Sequence, residues 1–130
     1  MSSVEVRRVG QHSFVASNGR GAEVRIGRKD QDGSFSPVEL LLAAAAGCAA
    51  VTAETLITRR AGGFTARADH VQAEGAHEVG TVPVSLDYDL SGLDDAQREA
   101  LEAVVRRAVD QLCTVTRTLK QSATTPLTLP

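Results

Sequence analysis

Alternation of apolar and polar residues predicts strands in two parts of this chain. In the first part, the strong hairpin turn Asn18-Gly19 separates two of three predicted strands, and a polar loop at 28–34 ends the group. In the second part, residues 82–90 alternate strictly, and Pro83 indicates an exposed edge. The predicted strands are 4–9, 14–17, 22–28, 64–71, 82–90 and a last one at 126–129.

A long helix is predicted between the two groups of strands. Its start is marked by Ser36-Pro37-Val38-Glu39, because Ser is a good N-cap, Pro fits the first helical position and Glu completes a capping box. The helix should run from about Pro37 to Arg60 and end before Gly62-Gly63. A second helix should follow 94–97, because apolar residues recur there at helical spacing, and a short helical turn should follow at 115–121. This order of elements predicts one α+β domain over residues 1–130.

The apolar run at 40–51 makes the first helix unusual. It carries no charge, and its only side chain able to form a hydrogen bond is the thiol of Cys48. A helix that is apolar on every face must be buried all round. Strands in so small a domain cover only one side well, so we expect a homodimer with this helix near its centre. The run itself is too short to span a bilayer, which needs about 20 residues.

Composition then limits the class of protein. The chain has 130 residues, 23% of them charged, and a net charge of −2, which indicates a globular protein without a basic nucleic-acid surface. The N-terminus has no hydrophobic signal region and no membrane segment is expected, so we expect a cytosolic protein. In that compartment two cysteines are more often catalytic, redox-active or simply buried than a permanent structural bridge.

Cys48 has a simple interpretation and a reactive one. Free cysteine is among the most buried residue types, so Cys48 is most simply a small core residue. A reactive thiol must be a thiolate, and a site in mid-helix needs a cation from elsewhere. Arginine suits this task because it stays charged, although each candidate taken singly is most simply a solvated surface charge. The candidates are Arg20, Arg25, Arg28 and Arg117.

The other candidate residues also have structural interpretations. Cys113 continues the inward-facing line of the second helix, and Glu39 is most simply part of the capping box. Glu39 lies on the opposite side of the helix from Cys48 and about 13 Å away, so it could approach only the thiol of a second copy. Thr52 shares the face of Cys48, and its hydroxyl either donates to a thiolate or bonds back to the helix. The three histidines lack metal-ligand spacing, so neither a metal nor another cofactor is expected.

Two segments of the sequence resemble the OsmC/Ohr family of osmotically inducible and organic-hydroperoxide-resistance proteins. Residues 36–48, Ser-Pro-Val-Glu-Leu-Leu-Leu-Ala-Ala-Ala-Ala-Gly-Cys, resemble that family's helix entry and first cysteine. Residues 113–120 resemble its second-cysteine segment, commonly Cys-Pro-Val-Ser. The order of elements agrees over nearly the whole chain, and the two segments together are quite specific.

The resemblance implies a fold, an assembly and a reaction. The fold would have antiparallel strands around a long buried central helix, in an intertwined homodimer with active sites at the interface. Cys48 would attack an organic hydroperoxide to give an alcohol and a sulfenic acid, and Cys113 would resolve it as a disulfide for a small or protein-bound dithiol to reduce. The family's arginine would be Arg28, counted back from the shared proline, and Glu39 would be a further catalytic residue.

One difference from the peroxidases keeps other functions open. In those proteins a glutamate directly follows the proline and orients the arginine, whereas here that position is Val38 and the glutamate is the next residue, Glu39. The alternative is therefore a non-catalytic or divergent member that binds a hydrophobic small molecule, with peroxidase activity weak because Val38 replaces the family glutamate. A third interpretation makes both thiols inert core residues of a structural dimer.

Overall fold

The computed structural model describes residues 2–121 and 123–130 and has an α+β fold. Two compact units divide it, one ending at Leu41 and the other beginning at Leu42. The predicted fold class is confirmed. The elements in chain order are β1 Glu5–Gly10, β2 Ser13–Ser17, β3 Glu23–Ile26, α1 Pro37–Ala61, β4 Phe64–Ala68, β5 Val84–Tyr88, α2 Asp95–Leu112 and α3 Thr114–Leu119.

The first unit is built on an antiparallel sheet with the order β1-β2-β3. The predicted hairpin at Asn18 is present, because Asn18 Oδ1 accepts from the backbone N–H groups of Arg20 (2.8 Å) and Ala22 (3.3 Å). The turn is longer than the two residues predicted, and Gly19 adopts a φ of +76°, which favours glycine. These bonds fix the register of β2 and β3, in which Phe14 pairs with Ile26.

The predicted capping box opens α1. The backbone N–H of Glu39 donates to Ser36 Oγ at 3.1 Å, and the Ser36 N–H donates to Glu39 Oε1 at 2.8 Å. Two backbone donors that the helix leaves unpaired are thereby satisfied. The helix begins and ends within one residue of the predicted limits.

Only one line of α1 is buried in the chain by itself. The buried residues are spaced by four, which places them on one face, and they are Ala45, Ala49, Ala53 and Ile57. On another face, Ala44, Gly47 and Val51 are exposed, with 79% of Val51 accessible. The expectation that this helix is buried all round is therefore not met within one chain.

No membrane segment was expected because the apolar run 40–51 is too short to span a bilayer. The helix that contains this run, α1, has 25 residues. By length and composition, α1 is long and apolar enough to cross a membrane. A core helix of a soluble protein passes the same test. Length and composition therefore do not distinguish a membrane span from a core helix here.

The core of the second unit lies between α1, α2 and the β4–β5 hairpin. Its fully enclosed side chains are Ala53 and Ile57 from α1 with Leu101 and Val105 from α2. Half-buried residues of both strands pack against this cluster, among them Phe64, which pairs with Tyr88 across the hairpin. The apolar residues predicted at helical spacing in the second helix thus include those that α2 contributes to the core.

The end of α2 turns sharply into α3. Cys113 is both the last cap of α2, with its N–H donating to Val109 O, and the residue before α3. Arg117 Nη1 donates to the carbonyls of Asp110 and Gln111, both at 3.3 Å, and Lys120 pairs with Asp110 at 3.4 Å. These contacts hold α3 against the last turn of α2, where free carbonyls and negative charge favour cations.

The last predicted strand is wrong. Residues 123–130 form no strand, and the apolar positions Leu127 and Leu129 are 82% and 73% exposed. The segment contains Pro126 and ends in Pro130, and neither proline can donate to a ladder. The local sequence of 126–129 did not show that this segment lacks a neighbouring strand in the described structure.

Candidate functional site

The two cysteines come together in the second unit. Cys48 lies in the middle of α1 and is half-buried, and Cys113 at the α2–α3 corner is fully buried. Both are free thiols. Cys48 is among the groups that lower the pKa of Cys113, so the two thiols are neighbours, and full burial of Cys113 confirms its predicted inward direction.

The surroundings of Cys113 favour a thiolate there. Burial raises the pKa of this thiol, but the nearby hydroxyl and backbone N–H of Thr116, and then Cys48 and Thr52, lower it by more and leave the pKa below its ordinary value. Although Cys113 is the N-cap residue of α3, its side chain forms no capping hydrogen bond. The sulfur therefore lies among several donors without being locked to one of them.

These donors are neutral groups. Among the described residues that influence the Cys113 thiol, none is an arginine or a lysine. Arg117, the one candidate arginine of the second unit, is exposed and donates to carbonyls at the end of α2. The lowered pKa of Cys113 therefore depends on hydroxyls, a backbone N–H and a second thiol, and the cation predicted for Cys48 stays a prediction.

Thr116 is the residue that sequence reasoning missed. It lies three residues after Cys113, where the resembling family segment has a serine, and that position was a signal for a hydroxyl near the sulfur. Thr52 is predicted to share the face of Cys48, with its hydroxyl either donating to a thiolate or bonding back to the helix. It also contributes to the surroundings of Cys113, which the spacing of α1 could not reveal because Cys113 comes from another element.

Arg28 lies in the first unit, at the end of β3. Its backbone N–H donates to Gln31 Oε1 at 3.1 Å, and its carbonyl accepts from the Gln31 N–H at the same distance, so a tight turn fixes its backbone. Gly27 permits this turn, since a Cβ at Gly27 would come within 2.7 Å of the Gln31 side chain. The arginine side chain is left exposed. The predicted partnership between Arg28 and Cys48 stays a prediction.

Glu39 is bound in the capping box, as its simpler interpretation predicts, and its catalytic role stays a prediction. Arg20 and Arg25 are exposed residues of the first unit. Within 2–121 and 123–130, no three His, Cys, Asp or Glu side chains converge into a group that could hold a metal ion.

A groove opens between β5 and α2 in the same unit as the cysteines. Its volume is about 440 Å³, and it reaches Ala49, the neighbour of Cys48 on α1. Leu86, Val105 and Val109 form apolar walls, and charged side chains of α2 surround them. Such a groove is of the size that binds small molecules.

Comparison with known proteins identifies relatives of this chain. The profile of the family described as OsmC-like protein matches residues 29–128. An uncharacterized protein of Mycobacterium bovis is 35% identical over 130 residues, with 98% of this chain and 95% of that protein covered.

Two solved structures share the fold. An OsmC-like protein from Mycoplasma pneumoniae has a TM-score of 0.71 at 12% identity, covering 92% of this chain and 87% of that one. A structure from Legionella pneumophila, described as an organic hydroperoxide resistance protein, has a TM-score of 0.60 at 12% identity, covering 92% and 89%.

Proposed function

Because this chain belongs to the OsmC-like family, in which one structural relative is described as an organic hydroperoxide resistance protein, we propose that it is a thiol-dependent peroxidase acting on organic hydroperoxides. The observation that carries the proposal is the meeting of a half-buried thiol, Cys48, with a fully buried one, Cys113. The more accessible sulfur is the one that a substrate reaches first. The buried sulfur is in place to react with the product.

The reaction has two balanced steps. The Cys48 sulfur attacks one peroxide oxygen, the O–O bond breaks, and the leaving alkoxide takes up the thiol proton, so that an alcohol and a Cys48 sulfenic acid form. The Cys113 thiolate then attacks the Cys48 sulfur and the S–O bond breaks, and the leaving hydroxide takes up the proton that the Cys113 thiol released, so that water departs as the disulfide forms. A dithiol reductant, small or protein-bound, restores both thiols by exchange. The lowered pKa of Cys113 supports its part, because resolution requires a thiolate.

Two charged residues complete the proposal. Arg28 is the candidate to stabilise the Cys48 thiolate, because its side chain is exposed at the end of a rigid turn. Glu39 would orient that arginine from a second copy, since its own helix separates it from Cys48.

The exposed apolar face of α1 supports a homodimer. Ala44, Gly47 and Val51 form a stripe of small and apolar side chains without cover in the single chain. A second copy that covered this stripe would bury α1 all round and would limit water near Cys48. We place the protein in the cytosol, where a dithiol reductant is available.

A peroxide assay on reduced protein tests the proposal. Wild type should consume one equivalent of cumene hydroperoxide per cysteine pair and form a Cys48–Cys113 disulfide, detected by mass spectrometry of the unreduced protein. Cys48→Ser should lose this consumption entirely. Cys113→Ser is the matched control, because it keeps the attacking thiol and should accumulate a sulfenic acid that dimedone traps. Peroxide consumption that continues unchanged in Cys48→Ser would overturn the proposal.

The groove beside β5 favours a second candidate, a non-catalytic protein that binds a hydrophobic small molecule. In that case peroxide would oxidise the thiols slowly. An apolar fluorescent probe would bind wild type saturably, and the Val109→Asp variant would lose this binding. If both thiols were merely structural, iodoacetamide would modify neither of them before unfolding. Rapid alkylation of native Cys48 below pH 7 would support the peroxidase.

A further inference from the structure

Cys113 lies at the corner between α2 and α3, and the apolar core does not hold the second of these helices. The backbone of Cys113 is extended, with a φ of −74° and a ψ of 102°, so it breaks the chain between the two helices. All residues of α3 lie in the described part of the chain, and none of them is fully buried. The direction in which α3 leaves Cys113 must therefore be fixed by polar contacts.

Arg117 connects the two sides of this corner. Its backbone N–H donates to the Cys113 carbonyl at 2.9 Å. Its side-chain Nη1 donates to the carbonyls of Asp110 and Gln111, both at 3.3 Å. These carbonyls belong to the last turn of α2, where the helix itself supplies no donors. Arg117 thus closes a ring of hydrogen bonds around Cys113, with contacts both before and after it in the chain.

A second cation of α3 contributes less to this arrangement. Lys120 Nζ lies 3.4 Å from Asp110 Oδ1, but both side chains are more than half exposed. An exposed ion pair of this kind adds little to stability. Arg117 instead satisfies backbone carbonyls at the negative end of the α2 dipole, where a cation is favoured. Arg117 is therefore the stronger of the two links between α3 and the end of α2.

We propose that Arg117 is a positioning residue for the disulfide-forming step, a role that rests on the proposed peroxidase function. By holding α3 against α2, it keeps the Cys113 sulfur beside Cys48 and the Thr116 hydroxyl beside that sulfur. A thiol already held in the reactive geometry attacks faster than one that samples many positions. In this role Arg117 acts through Cys113 and not as a cation for Cys48, because its Nη1 is engaged by carbonyls.

Loss of this hold would change the product that peroxide forms. If Cys113 attacks slowly, the sulfenic acid of Cys48 meets a second hydroperoxide molecule. The sulfenic sulfur then attacks a peroxide oxygen, the O–O bond breaks, and the leaving alkoxide takes up a proton, so that an alcohol and a sulfinic acid form. Dithiols do not reduce a sulfinic acid. Arg117 would thus protect Cys48 from irreversible oxidation.

Rapid-quench kinetics of the reduced full chain with cumene hydroperoxide tests this role. In Arg117→Gln, formation of the Cys48–Cys113 disulfide should slow at least about tenfold, and the sulfinic acid measured by mass spectrometry should increase with peroxide concentration. Arg117→Lys can still donate to the carbonyls and should recover most of the rate. Arg107→Gln, the matched control, removes the same charge from an exposed position of α2 and should react as wild type does. Disulfide formation at the wild-type rate in Arg117→Gln would overturn the proposal.

The first step separates positioning from a direct effect on Cys48. In a Cys113→Ser background, peroxide-dependent labelling of Cys48 by dimedone should have the same rate with and without Arg117→Gln. A slower rate in the double variant would make Arg117 the cation for Cys48 and refute the positioning role.

Equilibration with glutathione disulfide separates this test from that of the peroxidase. In that exchange the two protein thiols form their disulfide while glutathione disulfide is reduced to two molecules of glutathione. Arg117→Gln should lower the equilibrium constant about tenfold, because its thiols are less well held together. The exchange uses no peroxide, so its outcome does not depend on whether wild type is a peroxidase. An equilibrium constant equal to that of wild type would refute the positioning role.

Discussion

The two long helices solve the burial of apolar residues in different ways. The apolar residues of α2 lie on one stripe, and that stripe supplies Leu101 and Val105 to the core while polar residues face solvent. In α1 the apolar residues continue around the helix, yet the chain buries only the line that contains Ala53 and Ile57 and leaves Val51 exposed. The difference indicates that α2 buries its apolar stripe within one chain, and it supports the proposed homodimer, in which a second copy would cover the open face of α1.

The largest effect is expected where α1 lacks cover. Val51→Asp would place a charge without a partner in the proposed interface, so the dimer dissociation constant should rise at least about 100-fold, or about 3 kcal/mol. Sedimentation over a range of concentrations measures it. Ala103→Asp adds the same charge to the exposed face of α2 and should not change the assembly. A wild type that stays monomeric at all concentrations would refute the comparison.

The shared core tests the buried line of α1. Ile57→Ala removes a side chain with no exposure and should lower the free energy of unfolding by about 2–5 kcal/mol. Leu112→Ala on α2 serves as the control, because Leu112 is 69% exposed and its truncation should cost less than about 1 kcal/mol. Urea denaturation of both variants at one protein concentration gives the difference. Similar losses would mean that Leu112 is covered in the native assembly.

The caps of the two helices predict a smaller effect. Both helices begin with a capping box, built from Ser36 and Glu39 in α1 and from Asp94 and Gln97 in α2. Ser36→Ala and Asp94→Ala should each cost about 1 kcal/mol, and Ser36→Ala should cost more because Ser36 is buried. Thermal unfolding measures both against the exposed Ser3→Ala. A greater loss in Asp94→Ala would contradict the ranking by burial.

The smallest expected effect is a change in the pKa of Cys113 at the end of α2, for which we predict the direction. Thr116→Val removes a hydroxyl that lowers the pKa of Cys113, so this pKa should rise, while Thr114→Val, at an exposed position, should leave it unchanged. The Cys113 ¹³Cβ chemical shift, followed against pH, reports the titration. An unchanged midpoint in Thr116→Val would remove Thr116 from the site.

The same group affects stability with a defined sign. Because the folded pKa of Cys113 is lowered from its ordinary value, its ionisation stabilises the folded state at pH above the pKa of the unfolded chain. That contribution is lost as the pH falls through the folded pKa. The stability of wild type relative to Cys113→Ala should therefore rise with pH across this window. A difference that falls with pH would show that burial outweighs the donors.

Local signals in the sequence determined most of the secondary structure. Ser36-Pro37-Val38-Glu39 fixed the start of α1 because a capping box involves only residues three apart, and the helical spacing before Leu112 fixed the core face of α2. The sequence also identified both cysteines as candidate functional residues. The strand predicted at 126–129 was wrong, because a local sequence pattern does not supply a neighbouring strand with which to pair.

Only the tertiary structure decided which groups surround each thiol. Thr52 and Cys48 are one helical turn apart on α1, and Thr116 and Cys113 lie together at the α2–α3 corner, but the packing of these two elements makes all four neighbours. A pKa depends on donors within a few ångströms in space, and no spacing along the chain records such a distance. Likewise, the apolar run of α1 determined that the helix needs cover, and the fold decided that only one of its faces receives it from the same chain.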